Sequence, residues 1–175
     1  MIEPMTPERQ EERLAEVRRL RLDGIQAAKE LQNDEAEALY RQALWLHEEV
    51  LGETNPAITE SLEQLIFFCG RHGQRSETEA LVERSLALLR QKPKPEHRGI
   101  LRTIDGLASD YQERGRFDEA EWYYKRVLAA REELLGPNHP RVAATLEKYA
   151  SLLNKTGRKA EAEVMEERAK AIHSR

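Results

Sequence analysis

Apolar side chains recur at helical spacing along the chain. Ile100, Ile104, Leu107 and Tyr111 are separated by three or four residues, which places them on one face of a helix. No stretch alternates between polar and apolar residues for long enough to compete as a strand. The pattern predicts an all-α protein with helices near 7–30, 34–51, 56–72, 76–91, 96–114, 118–135, 139–156 and 160–173.

The helical segments recur with a period of 42 residues. Gly73, Gly115 and Gly157 are separated by this interval, and the Leu-Gly segments at 51–56 and 135–140 by twice the interval. Such a period indicates four copies of a two-helix unit, at about 14–55, 56–97, 98–139 and 140–175. We expect the copies to form one domain over 1–175, with residues 1–6 as a disordered N-terminal tail.

Turn and capping residues mark where the helices begin and end. Gly115 has the backbone freedom to end a helix, and Asp118 is expected to cap the next one. Asn138 is expected to cap the helix after that, with Pro140 in its first turn. Thr6, followed by a proline and a glutamate, is a suitable start for the first helix.

Three departures from the repeat carry expectations of their own. The first copy has Leu31 where the others have a turn glycine. The link at 91–97 contains two prolines and should be irregular, because proline cannot continue a helix. The last copy has Glu166 and Lys170 at positions that are apolar in earlier copies, which is what a terminal cap of a stack requires.

Composition and charge narrow the classes of function. Charged residues make up 34% of the 175 residues and apolar ones 39%. This composition suits a stack of helix pairs with a narrow core and two solvent-exposed faces. The formal charge of −4, without a Lys/Arg-rich block, argues against nucleic-acid binding. No apolar run would span a bilayer, and the N-terminus lacks a signal-peptide core. The single cysteine, Cys69, suits a reducing compartment, so we expect a cytoplasmic protein without membrane attachment.

No constellation of residues indicates catalysis, a metal or a cofactor. Cys69 and His72 form a Cys-x-x-His pair, but zinc needs further ligands, and Cys69 occupies a core position of the repeat. His47 begins a zincin-like segment that has Leu51 where a second histidine is required. His139 lies in a turn, where we expect a structural role. We therefore expect a protein that is not an enzyme and binds no cofactor.

The clearest repeat, residues 115–163, combines a turn glycine, Glu-Ala-Glu, a long second helix, Leu-Gly and a His-Pro turn. This pattern resembles tetratricopeptide-repeat (TPR) proteins, in the 42-residue variety found in kinesin light chains and many bacterial relatives. The resemblance covers about residues 14–173. It implies a right-handed α-solenoid of four antiparallel helix pairs, in which the first helix of each pair lines a concave groove that binds ligands.

Mapping the first-helix positions of that family onto this sequence gives a candidate peptide-binding groove. Its residues are Arg18, Arg21, Ile25, Lys29, Glu63, Gln64, Phe67, Arg71, Arg102, Asp105, Ser109, Gln112, Lys148, Ser151 and Lys155. Kinesin light chains hold cargo peptides in a basic groove, whereas in this sequence only the first copy is plainly basic. The chaperone-binding carboxylate clamp is not supported, because its positions hold Arg21, Glu63 and Asp105 without asparagine partners.

Phe67 has two interpretations. An aromatic among groove positions is a suitable interface anchor. Alternatively, Phe67 leans sideways into the core between copies, beside Phe68.

The leading hypothesis is a non-catalytic protein–protein interaction module that binds a peptide or protein segment in its concave groove. The alternative is a self-assembling scaffold that dimerises through solenoid ends or the convex face, so the chain would be a monomer or a weak homodimer. A small-molecule sensor would need an enclosed polar pocket that the sequence does not reveal.

Overall fold

The computed structural model describes residues 5–91 and 98–174, apart from the side chain of Arg98. These residues form helices and no strand, which confirms the all-α prediction. The observed bounds differ from the predicted ones by one or two residues, apart from a short 3-10 turn at Pro56–Ile58 ahead of the third helix. The helices are α1 Pro7–Lys29, α2 Asn33–Leu51, α3 Thr59–Arg71, α4 Arg75–Gln91, α5 Arg98–Glu113, α6 Phe117–Leu135, α7 Pro140–Lys155 and α8 Lys159–His173. Most of the expected irregular link and of the expected tail lies outside the described residues.

The chain divides into two compact units, with the boundary between residues 97 and 98. Unit 1 contains α1–α4 and unit 2 contains α5–α8. Each unit holds two helix pairs, as the repeat predicts. Whether all four pairs act as one domain stays a prediction.

Within each unit the first helices of the pairs lie side by side, and so do the second helices. In unit 1 an ion pair of 2.6 Å between Arg21 and Glu60 joins α1 to α3. Arg41 and Glu77, 2.5 Å apart, join α2 to α4. In unit 2 a 2.7 Å ion pair between Glu121 and Arg158, the capping residue of α8, joins α6 to the start of α8. Ion pairs therefore connect neighbouring helix pairs within each unit.

The turn inside each helix pair has one backbone conformation throughout. The φ angles are 61° at Leu31, 77° at Gly73, 73° at Gly115 and 79° at Gly157. In each turn the N–H of the following residue donates to a carbonyl five residues earlier, at 2.9–3.0 Å, which satisfies a carbonyl that the helix end leaves open. The helix-ending role of the glycines is confirmed. Leu31 adopts the same left-handed conformation, although it has a Cβ.

The predicted cap at Asp118 is wrong. Helix α6 begins at Phe117, and Arg116 is the capping residue, with no side-chain hydrogen bond to the helix. The tight turn at Gly115 leaves a single residue before α6, and the carbonyl of Arg116 already accepts from the N–H of Ala120 at 3.1 Å. Asp118 lies instead in the first turn, where its negative charge interacts favourably with the helix dipole.

The predicted cap at Asn138 is also displaced by one residue. His139 caps α7, and its Nδ1 accepts from the N–H of Arg141 at 3.1 Å. His139 precedes Pro140, which restricts it to an extended backbone that suits a capping residue. The structural role expected of His139 is confirmed, and so are Pro140 in the first turn and Thr6 as the cap of α1.

Small residues allow the helices of each pair to approach closely. Equivalent positions in the four copies are fully buried: Ala36, Thr78, Ala120 and Ala162. In the first pair, a Cβ at Gly24 would lie 2.7 Å from the ring of Tyr40. The core of each unit thus consists of the side chains packed between its helices.

The polar substitutions of the last copy lie where earlier copies are buried. Lys170 is exposed, whereas Leu128 at the equivalent position is buried. Glu166 accepts a hydrogen bond from Asn154 at 3.2 Å, whereas Tyr124 at its equivalent position is buried. Their role as a terminal cap stays a prediction.

Candidate functional site

The predicted groove residues lie on the first helices of the pairs, and they divide between the two units. We call the solvent-facing side of α1 and α3 the A face of unit 1, and that of α5 and α7 the A face of unit 2. The A face of unit 1 carries Arg18, Arg21, Ile25, Lys29, Glu63, Gln64, Phe67 and Arg71. The A face of unit 2 carries Arg102, Ser109, Gln112, Lys148, Ser151 and Lys155, whereas Asp105 on α5 is buried.

Phe67 is exposed on the A face of unit 1. Its side chain is 46% exposed, and the guanidinium of Arg71 lies 5.4 Å from the centre of its ring. The neighbouring Phe68 occupies the core instead, with its ring 5.7 Å from that of Tyr40 and 4.1 Å from that of His72. Of the two interpretations of Phe67, the structure supports the exposed one, because Phe68 already fills the core position.

The basic character expected of the first copy is partly neutralised. Arg21 pairs with Glu60 on the adjacent first helix. Arg18 and Lys29 are exposed and have no ion-pair partner among the residues that the structure describes. Two cations of α1 are therefore available to an acidic ligand, whereas Arg21 is already paired with Glu60 of α3.

In unit 2, Asp105 lies inside the helix packing. It is 7% exposed, and its carboxylate accepts from Arg131 Nη1 at 3.1 Å and from Lys148 Nζ. Arg131, also 7% exposed, donates in addition to Thr145 Oγ1 and to the carbonyl of Arg141. Asp105 is thus placed to fix Lys148 on the A face, while its own carboxylate is occupied.

Sequence reasoning missed Arg131, but a signal for it exists. The position lies on the otherwise apolar stripe of the second helices, and its equivalents are His47, Leu89 and His173. His47 is buried and its Nδ1 lies 2.9 Å from Ser61 Oγ, just as Arg131 contacts a hydroxyl on the next first helix. A basic residue that recurs on a buried stripe indicates a polar contact between helix pairs.

A chain of hydrogen bonds continues from Asp105 along the A face of unit 2. Ser109 Oγ donates to the carbonyl of Asp105 at 3.1 Å, and Tyr124 OH donates to Gln112 Oε1 at 3.1 Å. Gln112 Nε2 in turn donates to Ser151 Oγ at 3.4 Å. Burial raises the pKa of Tyr124, so its hydroxyl stays protonated and remains a donor.

These groups surround a recess between α5, α6 and α7. It has a volume of about 190 Å³, and we call it the α5–α7 recess. Its lining residues are Ser109, Gln112, Glu113, Tyr124, Lys148, Ser151 and Lys155. The structure therefore brings together five of the predicted groove residues and adds Glu113 and Tyr124, while Arg102 does not line the recess.

The residues weighed as chemical groups have structural surroundings. Cys69 is fully buried, as its core position predicts, and burial raises the pKa of its thiol to about 12. Both ring nitrogens of His72 have partners: Nδ1 lies 2.8 Å from the carbonyl of Phe68 and Nε2 lies 3.2 Å from Asn33 Oδ1. Among the described helices, none has the length and hydropathy needed to cross a membrane.

Comparison with known proteins places the chain in a family. Family models described as tetratricopeptide repeat match residues 59–133 and 100–175, and a further one matches residues 32–57. The chain belongs to the tetratricopeptide-repeat family, and its all-α fold is a TPR-like solenoid. TPR repeats generally mediate protein–protein interaction or scaffolding.

Solved structures with the same fold include proteins of the kinesin light chain type. One is a kinesin light chain-type protein of Podosopora anserina with nearly identical TPR-like repeats, at 24% identity and a TM-score of 0.60, covering 99% of this chain and 79% of the other. Another is BtubC (BKLC) from P. vanneervenii, at 25% identity and a TM-score of 0.60. The match covers 94% of this chain and 71% of the other. No curated protein matches the sequence.

Proposed function

We propose that this protein is a non-catalytic interaction module whose A faces bind an extended or helical segment of a partner protein. The observation that carries this proposal is the exposure of Phe67 on the A face of unit 1. Leu22, on the same face, is exposed as well. Full burial of an exposed phenylalanine side chain is worth roughly 1.5–3 kcal/mol. Phe67 is already partly covered, so a partner that covers the rest gains about half of that.

The surroundings of Phe67 suit a partner segment. Aromatic and arginine side chains are enriched among the residues that contribute most to binding, and Arg71 lies directly over the Phe67 ring. The ion pair between Arg21 and Glu60 holds α1 against α3 before any ligand arrives. A preformed face lowers the ordering cost of binding.

The test compares capture of partners by variants of the full chain. Phe67→Ala combined with Arg71→Glu should abolish the capture of specific partners from native lysate, as measured by mass spectrometry, with helicity by circular dichroism unchanged. Trp45→Ala is the matched control, because it removes an exposed aromatic from the second-helix side of unit 1. Equal capture by the Phe67 variant and the unmodified chain would contradict the proposal.

A second candidate is self-association through the second helices. Trp45 on α2 is 60% exposed, whereas the equivalent positions hold the small residues Ala87, Ala129 and Ala171. An exposed tryptophan is a suitable anchor for a symmetric dimer. Sedimentation velocity over a dilution series distinguishes the two candidates: a dimer that Trp45→Ala dissociates supports self-association, and a monomer at micromolar concentration refutes it.

A further inference from the structure

A row of exposed side chains on α2 has an aromatic centre and opposite charges at its two ends. Trp45 is 60% exposed. Arg41 lies one turn before it and Glu49 one turn after it, and both are exposed. Residues four apart are neighbours on one side of a helix, so the three side chains form a continuous row on the solvent side of α2. We call this row the α2 stripe.

Ion pairs within the chain hold both charged ends of the α2 stripe in place. The Arg41 guanidinium donates to Glu37 and to Glu77 on α4, and one of its N–H groups, on Nη1, keeps no partner among the described residues. Glu49 Oε2 accepts from Arg13 at 2.5 Å, which leaves Glu49 Oε1 open. Each end is therefore preorganised and has room for one further hydrogen bond.

The α2 stripe is complementary to a second copy of itself. When two copies of α2 lie antiparallel and cross at Trp45, a residue one turn before the crossing faces a residue one turn after it in the other copy. Arg41 of each chain then faces Glu49 of the other, about 6 Å along the helix from the crossing. Two equal contacts between opposite charges flank a stacked pair of tryptophans. The same surface serves both chains, which is the requirement for a two-fold symmetric interface.

The other second helices lack this combination. Their equivalents of Trp45 are small: Ala87, Ala129 and Ala171. On α6, Lys125 and Glu133 repeat the two charges, but no aromatic residue lies between them. Aromatic side chains are enriched among the residues that contribute most to binding, and a stacked pair gains further stability. Only α2 therefore combines an anchor with charges that complement each other across a two-fold axis.

We propose that this protein forms a symmetric dimer in which the α2 stripes of two copies pair antiparallel, with the Trp45 rings stacked on the two-fold axis. Arg41 of each chain donates its remaining N–H group to Glu49 of the other. This inference rests on the self-association put forward above as the second candidate function, and it names the surface and the register. The A face of unit 1 lies on the first helices and takes no part in the pairing, so a dimer can still bind partner segments.

Sedimentation velocity of the full chain tests the aromatic anchor. The unmodified chain should be a dimer at micromolar concentration. Trp45→Ala should raise the dissociation constant of the dimer at least about thirtyfold, the loss typical of a central aromatic anchor. Phe67→Ala is the matched control, because it removes an exposed aromatic from the A face, and it should leave the dissociation constant unchanged.

Charge reversal tests the register. Arg41→Glu alone gives a stripe with two acidic ends, and Glu49→Arg alone gives a stripe with two basic ends, so each variant repels its own copies. Mixed in equal amounts, the two variants carry opposite charges at both contacts. With one variant fluorescently labelled, the mixture should form a heterodimer at least about tenfold tighter than either homodimer, and raised salt should reduce this preference. Circular dichroism should show unchanged helicity for both variants, because exposed ion pairs contribute little to folding.

A cysteine substitution covers the case in which charge reversal unfolds either chain. Trp45→Cys places two thiols on the two-fold axis, and mild oxidation should link them into a covalent dimer. Phe67→Cys should give no such dimer. Cys69 is fully buried and does not compete in the reaction.

The outcomes separate this pairing from self-association in general. A dimer that Trp45→Ala dissociates, but whose charge variants show no preference for each other, overturns the antiparallel register and leaves self-association standing. Pairing of α2 with α6 of another copy would give that result, since Glu49→Arg cannot compensate Arg41→Glu there. A covalent dimer from Phe67→Cys as readily as from Trp45→Cys also overturns the register. If the unmodified chain is a monomer at micromolar concentration, self-association and this pairing both fail.

Discussion

Leu31 occupies a backbone conformation that the other three copies give to glycine, and this makes it a test of the repeat architecture. Its φ of 61° lies in the left-handed region, where a Cβ approaches the following carbonyl oxygen. Its side chain is 80% exposed, so it contributes little packing in return. We therefore expect Leu31→Gly to stabilise the pair of helices α1 and α2.

The expected gain follows from two opposing terms. Placing an L-residue in the left-handed conformation costs about 1–2 kcal/mol, which glycine avoids. Glycine loses more backbone entropy on folding than leucine does, and this loss offsets the gain by roughly 0.5–1 kcal/mol. The net stabilisation is about 0.5–1 kcal/mol, which corresponds to roughly two- to fivefold slower amide exchange from opened states of α1 and α2.

Hydrogen exchange followed by mass spectrometry measures this effect helix by helix. The slowing should be confined to α1 and α2 and absent from α5–α8. The reciprocal substitution, Gly115→Ala, should destabilise α5 and α6 by about 1 kcal/mol through the backbone alone, because no atom lies within 4 Å of the added Cβ.

Leu31→Ala is the matched control. It removes the same exposed side chain but keeps a Cβ at a positive φ, so it should leave exchange almost unchanged. If Leu31→Ala slows exchange as much as Leu31→Gly, the benefit comes from losing the exposed side chain and the argument from backbone strain is wrong.

Three further predictions concern buried positions. Gly24→Ala should lower the stability of unit 1 by about 1–3 kcal/mol in urea unfolding, because the new Cβ would lie 2.7 Å from the Tyr40 ring. Asp105→Ala should cost about 3–5 kcal/mol, because it leaves the buried guanidinium of Arg131 without its counter-ion. Burial lowers the pKa of His47, so the folded chain favours the neutral imidazole. Stability should therefore be full above about pH 6.5 and decline as the pH falls below that value, by at most about 1.4 kcal/mol per pH unit.

Each of these predictions has a control. Restoring space with Tyr40→Leu should rescue Gly24→Ala, and failure of the rescue would contradict the clash. Lys148→Met should cost less than about 1 kcal/mol, since Lys148 is partly exposed. A loss as large as that of Asp105→Ala would contradict the role given to Arg131. His47→Gln should flatten the pH dependence between pH 5 and 7, and an unchanged profile would assign the effect to another group.

Helix bounds and turns followed from local patterns. The spacing of apolar residues decides which of them share one face of a helix, independently of the rest of the fold. A glycine that recurs at the repeat period marks a left-handed turn. Capping was less predictable. The caps of α6 and α7 are Arg116 and His139, which lie two residues before and one residue after the predicted positions, because the tight turns leave a fixed number of residues before the next helix begins.

The candidate site depended on contacts between residues far apart in the sequence. The helix period placed Phe67 and Phe68 in neighbouring positions without deciding which one faces the core. Packing against Tyr40 and His72 decided that Phe68 is buried and Phe67 exposed. Likewise, Asp105 was predicted as a groove residue, but Arg131, on another helix, holds its carboxylate inside.

The sequence by itself determined the all-α class, the repeat, the helix bounds within a residue or two and the family. These follow from periodicity, which is a local property of the chain. Only the tertiary structure decided which polar side chains remain available to a ligand, namely Lys155 with its unused donors and not Asp105. Availability depends on whether a partner from a separate helix lies within hydrogen-bonding distance, and no spacing along one helix contains that information.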